Sequence, residues 1–282
     1  MFHTLLDAET LFQTLKQDTA DVLLLDCRFD LADPQAGLFA YSEGHLPGAF
    51  FLDLERHLSA PVTESTGRHP LPDPNALLAT LNSFGLTAGH QVVVYDDCGG
   101  AMAARAWWLI RWLGHEAVAL LDGGIQAWQA VAGELSRVMP VAEAGQDYQP
   151  RPQPQLALAL DALLPTLKMA KAVLVDARAA ARFRGEMEPI DPVAGHVPGA
   201  LNRPLTDNLV QGRFKPAEQL AREWVALLQG LPAASVVHMC GSGVTACHNL
   251  LAMEHAGLSG SRLYPGSWSE WILDPQRPVA QD

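Results

Sequence analysis

Four short segments of this chain occur twice, in the same order, and that repetition constrains the fold more than any single motif. Val22-Leu23-Leu24-Leu25-Asp26-Cys27-Arg28 returns as Ala172-Val173-Leu174-Val175-Asp176-Ala177-Arg178. Gly44-His45-Leu46-Pro47-Gly48-Ala49 returns as Gly195-His196-Val197-Pro198-Gly199-Ala200. Val92-Val93-Val94-Tyr95 returns as Val236-Val237-His238-Met239, and Gly123…Trp128 returns as Gly266…Trp271. Only the loop lengths between the matches differ, so the chain reads as a duplicated domain. Its 282 residues suffice for two separate cores. The copies are placed at 1–140 and 155–282, joined by a Pro-rich, apolar-poor linker at 141–154 that reads as an extended surface segment.

Within each copy, short apolar runs alternate with helical patterns. Val22 to Leu25, Val92 to Tyr95 and Ala117 to Leu121 show no in–out alternation, as expected of strands covered on both faces. Ala101 to Leu113 and Ala217 to Leu228 read as helices. The expected fold class is therefore α/β: in each domain a mostly parallel sheet flanked by helices. Ligands of such sheets sit beyond the carboxyl ends of the strands. That rule selects the loops Asp96 to Met102 and Cys240 to Val244.

A formal net charge of −12 argues against nucleic acid and anionic membrane as partners, since both need a basic footprint. No apolar run approaches the roughly 20 residues of a membrane span. The first residues, MFHTLLDAETLFQTLKQ, read as a helix and not as an export signal, so the chain is expected in the cytoplasm. Its four cysteines (Cys27, Cys98, Cys240, Cys247) lack both disulfide-dense and zinc-site spacing. Neither a metal nor an organic cofactor is expected, and attention falls on a single thiol.

Val236-Val237-His238-Met239-Cys240-Gly241-Ser242-Gly243-Val244-Thr245-Ala246 runs strand, cysteine, glycine-rich turn, helix. The two glycines let successive N–H groups point inward as an anion-binding nest, and the positive end of the following helix adds to that field. Both favour a thiolate, and would equally hold a persulfide on the same sulfur. The plainer reading of Cys240 is a small core residue. Its place at a strand end beside a glycine turn favours reactivity. Cys247 falls on the helix and reads as packed, and Cys27 reads as buried just past a strand.

The matching first-copy loop is Asp96-Asp97-Cys98-Gly99-Gly100-Ala101-Met102. Counted from the strand, Asp96 falls where Cys240 does. Counted back from the helix, with a loop two residues longer, Cys98 falls there instead. A carboxylate at that strand end would oppose ionisation of a nearby thiol. Cys98 is then at most a redox-sensitive surface thiol. His45 and His196, like Asp26 and Asp176, recur in both copies and read as turn, packing and strand-end residues. Trp128 and Trp271 read as core.

The duplication, the GHxPGA motif in each half, the DGG…W and GSWSEW endings and the CGSGVTAC loop together resemble the tandem-domain sulfurtransferases of the rhodanese superfamily. The resemblance spans essentially the whole chain, and the loop CGSGVT is similar to that of 3-mercaptopyruvate sulfurtransferases. Thiosulfate-preferring members usually carry basic residues where this chain has Gly241 and Ser242. The resemblance implies a catalytic second domain with Cys240 as nucleophile and an inactive first domain. It implies a donor-binding loop of Gly241, Gly243, Val244 and Thr245, and Arg182 as a ligand of the donor carboxylate. Read alone, Arg182 is a solvated loop residue. The second arginine usual nine positions later is replaced by Asp191, with Arg184 and Arg203 as possible substitutes. Trp268 is expected to wall the pocket. His69, in Gly67-Arg68-His69-Pro70, matches a histidine that faces the catalytic loop, and Glu55 (or Asp53) its acidic partner. Together with Ser242 they would form a proton relay; the alternative for His69 is a cap on its Pro-rich loop.

The implied reaction moves a sulfane sulfur from 3-mercaptopyruvate, a small anionic donor, through a Cys240 persulfide to a thiol, cyanide or thioredoxin-like acceptor. The nearest alternative keeps the chemistry with thiosulfate as donor. A cysteine-dependent phosphatase is strongly disfavoured, because the arginine it needs six positions after the cysteine is Ala246. A non-catalytic rhodanese-like binding module is the reading of another class, and the intact cysteine loop argues against it.

Overall fold

The structure, a computed structural model, describes residues 1–17, 21–142 and 148–281. Residues 143–147 of the expected linker therefore lie outside the described residues. The chain divides into two compact units, each an α/β layer structure. The first comprises Met1–Ala60, Pro72–Gln153 and Gln211–Phe214, and the second Pro61–Leu71, Pro154–Val210 and Lys215–Asp282. A short arm from each repeat thus belongs to the unit built on the other repeat.

Among the described residues of the first unit, five parallel strands run in the order Leu5–Leu6, Val118–Leu121, Gln91–Tyr95, Val22–Asp26, Phe50–Phe51. The second repeats the pattern with Arg262–Leu263, Val236–Met239, Val173–Asp176 and Leu201–Asn202, all parallel. Its first strand has shrunk to a single parallel bridge, Ala157 to Leu263. The apolar runs without alternation are the central strands. Val92, Val93, Val94 and Tyr95 are completely buried, as layers cover both faces. Helices fall where the periodicity put them, at Ala103–Leu113 and Ala217–Leu228, and the N-terminal helix Ala8–Leu15 is capped by the Asp7 carboxylate. Trp128 and Trp271 lie in the two cores.

The repeated motifs form the same brace in both units. Arg28 grips Asp26 with two N–H groups and donates to the Gly44 carbonyl at 2.7 Å; Arg178 does the same with Asp176 and Gly195, also at 2.7 Å. His45 stacks on Tyr41 and His196 on Phe183, and each ring nitrogen Nδ1 meets the main-chain carbonyl of the residue it stacks on. Both histidines are thus packing residues that fix the turn after the strand-end Asp–Arg pair. Among the described residues, no helix is long and apolar enough to cross a membrane.

Candidate active site

Cys240 is the first residue past the strand Val236–Met239, and the next helix, Ala246–His255, starts six residues on. The strand carries the cysteine to the carboxyl edge of the sheet, and Gly243, at φ +83°, turns the chain back under it. This turn brings the Gly243 N–H to the Cys240 sulfur at 3.1 Å. Of the amides expected in the nest, Gly243 is the one that meets the sulfur. Val244 is buried and Thr245 half-buried at the helix entry, and their carbonyls accept from Cys247 and His248. Cys240 itself is 2% exposed, at the floor of the site.

Ser267 holds the cysteine from below. Its hydroxyl accepts the Cys240 N–H at 3.1 Å and donates to the Tyr264 carbonyl at 3.0 Å. The residue sits at φ +54°, where a side chain costs about 1 kcal/mol. The counterpart in the first repeat is Gly124, at φ +59°. A serine in a glycine's place was the sequence signal for this anchor. Trp268, expected as a pocket wall, contributes differently. Its ring is fully buried in the core with the Arg178 guanidinium over it at 4.6 Å, and its main-chain N–H donates to the Cys240 carbonyl.

The arm Pro61–Leu71 reaches the same loop within the second unit. Gly67 makes this approach possible, since a Cβ there would lie 2.4 Å from the Gly266 carbonyl oxygen. The Arg68 N–H then donates to the Ser269 hydroxyl at 3.1 Å, and His69 Nδ1 lies 2.7 Å from the Ser242 hydroxyl. Both His69 and Ser242 are buried. Glu55 and Asp53, the expected acids of this relay, belong to the first unit. Glu55 is exposed, and the Asp53 carboxylate accepts the N–H groups of Glu55 and Arg56.

Arg182 is not a solvated loop residue. It lies on the short helix Ala180–Phe183 and donates to Glu188 at 2.6 Å and to Asp191 at 3.0 Å. Burial opposes charge on Glu188, but the Arg182 hydrogen bonds and neighbouring amides outweigh it and hold that carboxyl below its ordinary value. At Asp191 burial wins, and its carboxyl is raised even with guanidinium groups against it. Neither proposed substitute for the missing arginine is at the loop: Arg184 pairs with Glu186 on the surface, and Arg203 with Glu223. The arginine that sequence reasoning passed over is Arg68, which pairs with Asp191. Gly241 marks the meeting point: a Cβ there would be 2.9 Å from Arg68 Nη2 and 3.7 Å from both terminal nitrogens of Arg182. Two guanidinium groups thus face the residue next to the cysteine.

The first-repeat loop settles its own register. Tyr95 and Met239 carbonyls accept from Cys27 and Ala177, and Asp96 and Cys240 carbonyls accept from Ile125 and Trp268, all equivalent pairs. Asp96, not Cys98, is the counterpart of Cys240. The loop is one residue longer, not two, because the helix after it starts at Ala103. Cys98 is an exposed residue whose thiol is pushed well up, by desolvation first and then by Asp96 and Asp97.

A family profile for the rhodanese-like domain matches residues 8–131 and 159–274. A Pseudomonas aeruginosa relative, named a probable 3-mercaptopyruvate sulfurtransferase, is 53% identical over 279 residues, 98% of this chain and 97% of its own. A Mycobacterium tuberculosis relative with the provisional name of a thiosulfate sulfurtransferase is 41% identical over 276 residues, 92% of this chain and 91% of its own. The solved structure of 3-mercaptopyruvate sulfurtransferase from Leishmania major matches with a TM-score of 0.81 at 30% identity, covering 95% of this chain and 74% of that one. The chain therefore belongs to the rhodanese family, as a tandem-domain sulfurtransferase similar over nearly its whole length to 3-mercaptopyruvate sulfurtransferases.

Proposed function

We propose that this sulfurtransferase takes its sulfur from 3-mercaptopyruvate, carries it as a Cys240 persulfide, and hands it to a thiol, cyanide or a reduced thioredoxin-like protein in the cytoplasm. The second repeat, 155–282, is the catalytic domain in this reading, and the first, 1–140, the inactive one. The observation that carries it is the convergence at Gly241 of two guanidinium groups beside a cysteine that already accepts an N–H on its sulfur. That pair suits a planar carboxylate whose carbon is three bonds from the sulfur to be attacked.

The Cys240 thiolate attacks the donor sulfur, forming an S–S bond while the S–C bond breaks. The electron pair of that bond goes to the donor carbon, which takes up the proton of the donor thiol and leaves as pyruvate. Ser242 and His69, whose 2.7 Å contact supports the relay, move that proton in this reading. Glu55 enters the relay on the family resemblance alone. The persulfide's outer sulfur keeps the negative charge beside the loop whose Gly243 N–H meets the Cys240 sulfur. A thiol or cyanide then takes this sulfur and returns the Cys240 thiolate.

Mass spectrometry of the Cys240 peptide after donor exposure tests this. The expected gain is one sulfur atom with 3-mercaptopyruvate, and steady-state rates should favour that donor. Faster loading and turnover with thiosulfate would move the assignment to the activity named for the mycobacterial relative. Loading on another cysteine would overturn it.

A further inference from the structure

The charged side chains behind the cysteine loop form one alternating series. Asp176 binds Arg178 at 2.7 Å, Arg178 binds Glu188 at 3.3 Å, and Glu188 binds Arg182 at 2.6 Å. Arg182 binds Asp191 at 3.0 Å, and Asp191 binds Arg68. Three acids thus match three guanidinium groups, and the series carries no net charge. Cover thins toward its end, from the fully buried Asp176 to the Arg68 side chain at 34% exposure. The two outer guanidinium groups, those of Arg182 and Arg68, supply the atoms nearest a Cβ on Gly241, and Asp191 binds both. Its two carboxylate oxygens each accept from one of them.

We infer that Asp191 sets the charge class of the donor. It orients Arg68 and Arg182 as hydrogen-bond donors to a single carboxylate, and it cancels the net positive charge that would draw in a dianion. The inference deepens the function proposed above and rests on it for the donor's place over Gly241. A donor with one carboxylate charge needs geometry here more than field, and bidentate guanidinium groups supply geometry. Thiosulfate brings two charges to a neutral site and gains little for the second. Removing the Asp191 charge, a few ångströms away, should favour each unit of donor charge by about tenfold.

The test is Asp191→Asn, which keeps the side chain's shape. The ratio of kcat/KM for thiosulfate to that for 3-mercaptopyruvate should rise about tenfold over the parent enzyme. That gain should shrink as salt is added, which a merely structural role would not produce. An unchanged ratio, or an equal fall in both constants, overturns the inference. Asp191→Glu, which keeps the negative charge, should hold that ratio near the parent's. If it does not, the inference fails even where Asp191→Asn does not fold. A parent enzyme that itself prefers thiosulfate would instead refute the donor proposal, and that is read without either variant.

Discussion

Asp96 holds in the first repeat the position that Cys240 holds in the second; the Asp96 carboxylate accepts several main-chain N–H groups of the loop that follows it, and the Cys240 sulfur accepts that of Gly243. The difference lies in what is offered to those amides. Cys240 presents a sulfur that can be loaded and emptied. Asp96 presents a permanent carboxylate, which accepts from Cys98 at 3.1 Å, Gly100 at 2.8 Å, and Met102 and Ala103 at 2.9 Å each. The nest of the first repeat is already full. Its anion belongs to the chain, buried at 1% exposure, and it ties the loop to the helix that starts at Ala103.

Replacing Asp96 with alanine should therefore damage the first unit's stability. Four N–H groups would lose one shared acceptor, and unsatisfied buried donors cost on the order of 1–3 kcal/mol each before relaxation. A net loss of about 3 kcal/mol is expected. Hydrogen exchange at the amides of Gly100, Met102 and Ala103 gives a local reading, and each should exchange faster by about a hundredfold. Unaltered protection at those three amides would show that the loop needs no fixed anion.

His69 and Ser242 should act as one device. Removing either side chain is expected to lower kcat by about a hundredfold with little effect on KM, as for a general acid–base pair. The double variant His69→Ala/Ser242→Ala should be no slower than the worse single one, because the second change removes a partner that has already lost its function. Multiplied losses in the double variant would show independent roles and remove the relay from the mechanism.

The duplication, the strands and the place of Cys240 just past a strand were legible because they rest on local pattern: uninterrupted apolar runs, a strand end, a glycine turn. The GHxPGA histidines were read as turn and packing residues because they recur in both copies, and both do stack on and bond the segment before their turn. Arg68 was not legible as a site residue. It stood in the sequence beside His69, but its partner Asp191 is 123 positions away, and nothing local joins them. Asp191 looked like a missing arginine; in the fold it is the acid that recruits another one. The ring of Trp268 was misplaced because sequence does not say which way a side chain turns from a loop. Here the flat Arg178 guanidinium, itself fixed by Asp176, takes the ring into the core.

Gly243 should not tolerate a side chain. At φ +83° an alanine Cβ would lie 2.3 Å from the Pro265 carbonyl oxygen, so either the loop or the Pro265 turn must move. Moving the loop takes the Gly243 N–H off the Cys240 sulfur. Gly243→Ala is expected to lower kcat/KM at least about tenfold, the size of one displaced charge-assisted hydrogen bond. Gly257→Ala is the matched control. It shares a positive φ, +75°, but has nothing within 4 Å of the added carbon. It should cost only about 1 kcal/mol of stability, with activity retained. Equal activity in both variants would mean that the Gly243 amide has no part in holding the sulfur.

His238, two residues before the cysteine, should make the second unit sensitive to mild acid. Its ring is fully buried, edge-on to Trp224, with Nε2 3.2 Å from the Met253 sulfur and Nδ1 without a partner. Burial drives its pKa down to about 3, against an ordinary 6.5. The folded value is depressed, so below pH 6.5 the unfolded chain takes up a proton that the folded chain refuses. The resulting stability is full above that pH and drains away as the pH falls toward 3. The loss attributable to this one ring should reach about 2 kcal/mol by pH 5. In His238→Phe, which keeps the ring's shape and removes the unpaired nitrogen, that part of the pH dependence disappears. Denaturation midpoints of the two proteins should lie close at pH 7.5 and separate in favour of the variant by pH 5. Curves that run parallel across that range would show that the histidine is protonated inside the fold, or that the strand opens well before the unit unfolds.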